Sequence, residues 1–123
     1  MKTYIILLIL CCSMDAVRGE LPTYELSINE AITESSDSKK PVLAIFTAKW
    51  CGHCRILKNE ISDHKSNFEN YIVCYIDYDA NRDLAKKYNV STIPNSIILD
   101  QSIEKKRKVG FFGIKEYINW IRK

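Results

Sequence analysis

The feature that most limits how this chain can fold is a pair of cysteines, Cys51 and Cys54, set at a junction between two hydrophobic patterns. Before the pair, Val42, Leu43, Ala44, Ile45 and Phe46 run apolar without a break, as a strand buried on both faces does. After it, Ile56, Leu57, Glu60 and Ile61 keep helical spacing. The cysteines therefore stand where a buried strand turns into a helix. The rest of the chain fills in around that junction. Ser27-Ile28-Asn29-Glu30 fits a capping box, in which the Ser hydroxyl and the Glu carboxylate satisfy the first free amides of a helix. Ile28, Ala31 and Ile32 share one face, and the helix is expected to end within Ser35-Ser36-Asp37-Ser38. Tyr71 to Ile76 reads as a second buried strand closed by Asp77-Tyr78-Asp79, and Asn81 is placed to cap a short helix carrying Leu84, Ala85 and Tyr88. Ile97 to Leu99 and Lys106 to Val109 read as two strands joined through Asp100-Gln101-Ser102. Ile114, Tyr117, Ile118 and Ile121 mark an amphipathic closing helix. Strands alternating with helices, then a hairpin, then a helix, imply an α/β domain. Its four-stranded mixed sheet carries a parallel pair, and helices cover both faces.

At 123 residues, 46% apolar and 27% charged, the chain suits one domain with a core large enough to fold without staples, and disorder or a fibrous repeat is excluded. Lys plus Arg number 18 and Asp plus Glu 15, interleaved to a net +3, too small and too scattered a charge for nucleic-acid binding. The one basic run, Lys105-Lys106-Arg107-Lys108, is expected to be a solvated turn or an edge strand. Residues 1–19 read as a secretory signal peptide. Lys2 is followed by an apolar run from Tyr4 to Leu10, continued by Cys11, Cys12, Ser13 and Met14, and Val17-Arg18-Gly19 precedes a cut after Gly19. The run is shorter than the ~20 residues a spanning helix needs, which favours a leader over a membrane span, and the mature chain, residues 20–123, is not expected to insert stably in a membrane. It keeps 16 bases and 14 acids, net +2, and three cysteines: Cys51, Cys54 and Cys74.

Three cysteines do not make a disulfide framework, and a bridge from Cys51 to Cys54 closes too small a loop to staple a fold. The pattern points to chemistry instead. A helix N-terminus carries about half a positive charge, which favours a thiolate on Cys51, and Cys54 lies within bonding reach inside the first turn. Cys51 is then the exposed nucleophile and Cys54 the buried thiol that resolves a mixed disulfide. His53, when protonated, adds to thiolate stabilisation, and Trp50 is expected to pack against the loop. A zinc site would need about four ligands, and Cys51 and Cys54 with His64 and Cys74 make a poor set. Covalent haem needs a histidine where Arg55 stands. Cys74 reads as an inert core thiol, His64 as a surface histidine, Lys49 and Arg55 as solvated charges. Tyr71, Tyr75, Phe111 and Phe112 read as core or sheet-face residues.

The stretch Phe46-Thr47-Ala48-Lys49-Trp50-Cys51-Gly52-His53-Cys54 resembles the active-site segment of the thioredoxin superfamily, and its Cys-Gly-His-Cys tetrad is the form typical of protein disulfide isomerase domains. Val90-Ser91-Thr92-Ile93-Pro94 is similar to the family's second signature, a proline after a cis peptide bond that faces the cysteines. The likeness runs from about Pro41 to Ile121 and implies a thioredoxin fold with a redox-active Cys51–Cys54 disulfide. It also implies substrate contact through Trp50, Gly52, Ile93 and Pro94, the backbone of Ile93 pairing with an extended segment of the substrate. Isoleucine before the proline is the thioredoxin version, where isomerase domains usually have threonine. One departure stands out. The buried acid that family members place six residues before the first cysteine is Ile45 here, and the companion lysine is missing from Tyr71 to Ile76.

The chain is thus expected to be an exported thiol–disulfide oxidoreductase that forms or reshuffles disulfides in other exported proteins. The alternatives are a disulfide reductase fed by another redox protein and, from a different class, a thioredoxin-like binding or chaperone module. Its expected partners are cysteine-containing exported clients and a redox partner of unknown identity. It is expected to be a monomer and to need no cofactor or metal, because the disulfide itself carries two electrons. The chain ends Asn119-Trp120-Ile121-Arg122-Lys123 without a Lys-Asp-Glu-Leu-type signal, so the periplasm or cell exterior is the expected location and the ER lumen the alternative.

Overall fold

The computed structural model describes Leu26–Lys123; the leader read in residues 1–19 lies outside the described residues. Four helices and four strands follow the expected order: α1 (Ile28–Ser38), β1 (Val42–Thr47), α2 (Gly52–Asp63), β2 (Ile72–Asp77), α3 (Arg82–Lys87), β3 (Asn95–Asp100), β4 (Ile103–Val109) and α4 (Ile114–Arg122), with a single 3₁₀ turn at Lys65–Asn67. The capping box forms: Ser27 N–H donates to Glu30 Oε2 at 2.8 Å, and Glu30 N–H donates to Ser27 Oγ at 3.3 Å. These bonds hold the Glu30 carboxyl below its ordinary range. As expected, α1 ends within the serine-rich stretch, at Ser38, its last residue. Ser38 Oγ bonds back to the Glu34 carbonyl at 2.8 Å and Ser35 Oγ donates to the Lys40 carbonyl at 2.6 Å, a local use of hydroxyls that serine permits inside a helix. Lys39, at φ 61°, closes the helix.

The sheet runs β2-β1-β3-β4, with β1 parallel to β2 and antiparallel to β3, and β3 antiparallel to β4. The two central strands are buried on both faces, which is why β1 is apolar from Val42 to Phe46 and β3 from Ile97 to Leu99, after the buried Asn95 and Ser96. On one face Val42, Ala44, Phe46, Ile97 and Leu99 meet Ala31 of α1 and Ala85 of α3. On the other, Leu43, Ile45 and Ile98 meet Leu57 and Ile61 of α2 with Tyr117 and Ile121 of α4.

The basic run forms the edge strand, as expected, but three of its four residues are engaged. Lys106 Nζ donates to the carbonyls of Trp120 and Ile121 at the end of α4. Arg107 pairs with Glu104 at 2.8 Å, and Lys108 with Glu116 at 2.6 Å. Their stems cover apolar surface while the charged ends find partners, so the run is not a free cationic patch. Because β1, β2 and β4 end, and β3 begins, at the same end of the sheet, the loops after β1, β2 and β4 gather there beside Pro94. Among the described residues, no helix is long and apolar enough to cross a membrane.

Candidate functional site

At that end β1 gives way to a tight turn in which Cys51 N–H donates to the Ala48 carbonyl at 3.1 Å. Cys51 is the N-cap of α2, extended at φ −89° and ψ 107°, and its Sγ accepts the Cys54 N–H at 3.2 Å. The helix thus points its free amides and positive end at the Cys51 sulfur. Cys51 and Cys54 form a disulfide with their Cα atoms 5.3 Å apart. Cys51 is 8% exposed and Cys54 3%. The order is the expected one, yet Cys51 is itself nearly covered rather than openly exposed, because Ala48 and Ile93 pack against the pair. Gly52 has open space where a side chain would grow. His53, Lys49 and Arg55 are exposed around the pair.

The Ile93–Pro94 peptide bond is cis. Ile93 is half-buried against the disulfide and Pro94 is buried, its carbonyl accepting the Gly110 N–H at 2.7 Å. Trp50 does not pack over the loop. It is 67% exposed, and its indole N–H donates to Asp79 Oδ2 at 2.7 Å. Asp79 in turn binds Arg82 at 3.2 Å, and the Arg82 guanidinium lies 4.4 Å from the Tyr78 ring centroid. Sequence reasoning missed Asp79 and Gly110. The acidic turn after β2 and the glycine after β4 were their only signals, since nothing in spacing alone shows that those loops converge. Asn81 does not cap α3 with its side chain. Its Nδ2 instead donates to the Asp77 carbonyl at 2.9 Å, while Asp77 Oδ1 accepts the Ala80 N–H, so the turn after β2 competes for the cap's amide.

Under α2, Ile45 is fully buried, in register with Tyr75 on β2 and Ser96 on β3. On this face the Tyr117 hydroxyl donates to Ser96 Oγ at 2.7 Å, and the Lys58 ammonium stands 4.7 Å from the Tyr75 ring centroid. Burial pushes the Tyr75 phenol up to about 12 and raises Tyr117 as well. Cys74 faces the opposite side, where its thiol donates to the Leu26 carbonyl at 3.0 Å; burial, helped by the Glu30 charge, pushes it up to about 11. It does not join the pair. Tyr71 donates to the Ile121 carbonyl at 2.7 Å, and Phe111 stands edge-on to Tyr117. Phe112 is 75% exposed rather than core, because Gly110 and Gly113, both at positive φ, swing it outward from the end of β4. The His64 Nδ1 lies 2.9 Å from the Glu60 carbonyl, on the surface of α2. Among the described residues, no three His, Cys, Asp or Glu side chains gather into a metal-binding set.

The family model for thioredoxin matches residues 23–123. The chain belongs to the thioredoxin family. An H-type thioredoxin of Fagopyrum esculentum is 34% identical over 82 residues, which span 67% of this chain and 71% of that protein. Among solved structures, a mutant thioredoxin from Halobacterium salinarum is similar at 25% identity and a TM-score of 0.65, with 78% of this chain and 83% of that one covered. A thioredoxin-2 described as a component of malaria parasite protein secretion machinery is similar at 27% identity and a TM-score of 0.61, covering 68% of this chain and 82% of that one. The four-stranded mixed sheet with four helices is the thioredoxin fold. The chain is therefore a thioredoxin-family disulfide oxidoreductase with Cys51 and Cys54 as its cysteine pair.

Proposed function

We propose that this thioredoxin-family protein forms or reshuffles disulfides in other exported proteins, in the manner of a protein disulfide isomerase domain. The observation that carries the reading is the seat of Cys51 at the N-cap of α2, with the Cys54 amide on its sulfur. Amides and a helix dipole aimed at Cys51 stabilise its thiolate, and His53 in the tetrad adds to this when protonated. A stabilised thiolate makes the disulfide easier to reduce, hence the better oxidant. Export is supported by the leader-like residues 1–19. The description of the similar malarial thioredoxin-2 as a component of secretion machinery lends it further support.

In the forward step a client thiolate attacks the Cys51 sulfur, the Cys51–Cys54 bond breaks, and Cys54 leaves as a thiolate. The second client thiolate then attacks the client sulfur of the mixed disulfide and releases Cys51. The client loses two electrons and two protons, which leave Cys51 and Cys54 as a dithiol; an oxidising disulfide partner must restore the bond. For reshuffling, the Cys51 thiolate attacks a client disulfide and is expelled by another client thiolate, with no net transfer of electrons.

A second reading, a reductase recharged by another redox protein, is favoured by Ile93 before the cis proline, the residue thioredoxins carry. The equilibrium potential of the pair in glutathione buffers, read by thiol trapping, separates the two. A value near about −180 mV supports donation or reshuffling, and one near about −270 mV makes the protein a reductase. A pair that does not cycle leaves only a binding module. Export is tested on the mature protein, whose first residue should be Glu20.

A further inference from the structure

We propose that Phe112 sets client preference, giving a bulky apolar side chain of the client an aromatic contact beside the cis proline; the inference rests on the exchange reaction proposed above. Exposed apolar side chains are ordinary when isolated, but the 75% exposed Phe112 ring belongs to a continuous contact path. Ile93 packs on the disulfide, Pro94 follows it, and the Pro94 carbonyl holds the Gly110 N–H at 2.7 Å. The Phe112 ring lies over Gly110, so closely that a methyl group there would stand 3.1 Å from Phe112 Cε2. Lys108 Nζ sits 5.8 Å from the ring centroid and is itself held by Glu116 at 2.6 Å. The ring lies between Gly110 and Lys108, and its two χ angles cost little entropy to order.

The same contacts define the occupant. Lys108 beside the ring is already paired with Glu116 at 2.6 Å, so the surroundings of the ring hold no uncompensated charge to attract a client lysine, arginine or carboxylate. An apolar side chain gains most, since it removes the ring from water without losing a charge's hydration. An extended client segment pairing with Ile93 sends alternate side chains to opposite sides, and those on the β4 side approach Phe112.

The test uses peptide disulfides that differ only in carrying Leu, Ser or Lys at single positions on either side of the cysteine. The full chain should favour Leu over Ser at one position by about tenfold in kcat/KM, the scale of a good interface anchor. Phe112→Ser should bring that ratio to about one, and Phe112→Leu should restore most of it. Turnover of oxidised glutathione and the potential of the pair should be the same in all three proteins. A Leu-to-Ser ratio left unchanged by Phe112→Ser, or an equal slowing of peptide and glutathione exchange, overturns the proposal. If the wild-type chain fails to exchange with glutathione, the redox reading is what has failed. Affinities of cysteine-free Leu and Ser peptides for the Cys51→Ser, Cys54→Ser chain then decide the role of Phe112. Loss of the Leu preference on adding Phe112→Ser supports it, and an unchanged preference refutes it.

Discussion

Replacing Ile45 by glutamate puts a carboxyl where the chain has only hydrocarbon, and its cost and benefit both follow from the surroundings. Ile45 is fully buried beneath α2, among Leu43, Leu57 and Ile61. Losing that side chain's burial costs about 2–3 kcal/mol. A neutral carboxyl short of hydrogen-bond partners costs roughly 1–3 kcal/mol more. The Ser96 hydroxyl, opposite Ile45 on β3 and an acceptor in its bond with Tyr117, is a candidate donor. The total of about 3–6 kcal/mol leaves a folded but weakened protein if the starting stability lies in the usual range of about 5–15 kcal/mol. Burial raises the folded pKa of the introduced carboxyl above the unfolded glutamate value of about 4.3. Below that pH both states are neutral, so the remaining stability is fully present. Above it the unfolded chain ionises first, and stability falls by about 1.4 kcal/mol per pH unit until the folded carboxyl ionises too. Ile45→Gln should carry a similar burial cost with no such slope.

The functional consequence is read by rapid-quench measurement of the second step, in which Cys54 attacks a preformed Cys51 mixed disulfide. An ionised carboxylate under α2 serves as a base for the Cys54 proton, and a positioned base contributes about 100-fold or more. Ile45→Glu should therefore outpace Ile45→Gln and wild type by about 10- to 100-fold, the gain appearing only above the pH at which the folded carboxyl ionises. Urea unfolding at each pH shows where the variant is folded. Equal resolution rates for the two variants throughout that range would rule out a carboxylate base at this position and assign the Cys54 proton to water or His53.

Three further outcomes are expected. His53→Ala should make the pair more reducing by about 20 mV, equivalent to about 1 kcal/mol of thiolate stabilisation, in glutathione equilibration; no change would remove His53 from thiolate stabilisation. Tyr117→Phe and Ser96→Ala should each cost about 1–3 kcal/mol in chemical denaturation, by leaving a buried hydroxyl without its partner. The double variant should cost less than the sum of the two, and strict additivity would contradict the coupling seen at 2.7 Å. Burial pushes the Cys74 thiol from 9.0 up to about 11, so its contribution is fully present below pH 9 and is lost above it as the unfolded thiol ionises. Across that interval the loss is about 2–3 kcal/mol, and Cys74→Ala should flatten the decline between pH 9 and 10, before the tyrosines ionise.

The elements were legible because each carries a local signature. The continuous apolar run of β1 marked a strand buried on both faces, the shorter run Ile97 to Leu99 marked β3, and the Ser27–Glu30 box set the start of α1 to the residue. The cysteine pair was legible for a related reason: its meaning comes from the strand–helix junction on which it sits, and that junction is contiguous in the chain. What escaped was set by loops brought together from distant parts of the sequence. The bond from Trp50 to Asp79 joins the turn after β1 to the turn after β2, and the Gly110 bond to Pro94 joins the end of β4 to the start of β3.

The exposure of Phe112 escaped for a different reason, since nothing in the sequence separates it from its neighbour Phe111. Two backbone positions at positive φ, Gly110 and Gly113, decide where the chain between β4 and α4 goes, and they turn one phenylalanine inward and the next outward. Gly110 serves two constraints at once. Its φ of +82° suits glycine, and its missing side chain leaves room for the Phe112 ring 3.1 Å from where a Cβ would sit. Gly110→Ala should therefore do more than strain the turn. The added methyl must push the ring away, and the backbone that holds Pro94 moves with it, so both client selectivity and exchange rate should fall. Phe112→Ser relieves the crowding but not the strain of alanine at φ +82°, so in the double variant the exchange rate should recover in part while selectivity stays lost. An exchange rate no higher in the double variant than in Gly110→Ala would show that the ring's displacement does not reach the cis-proline edge.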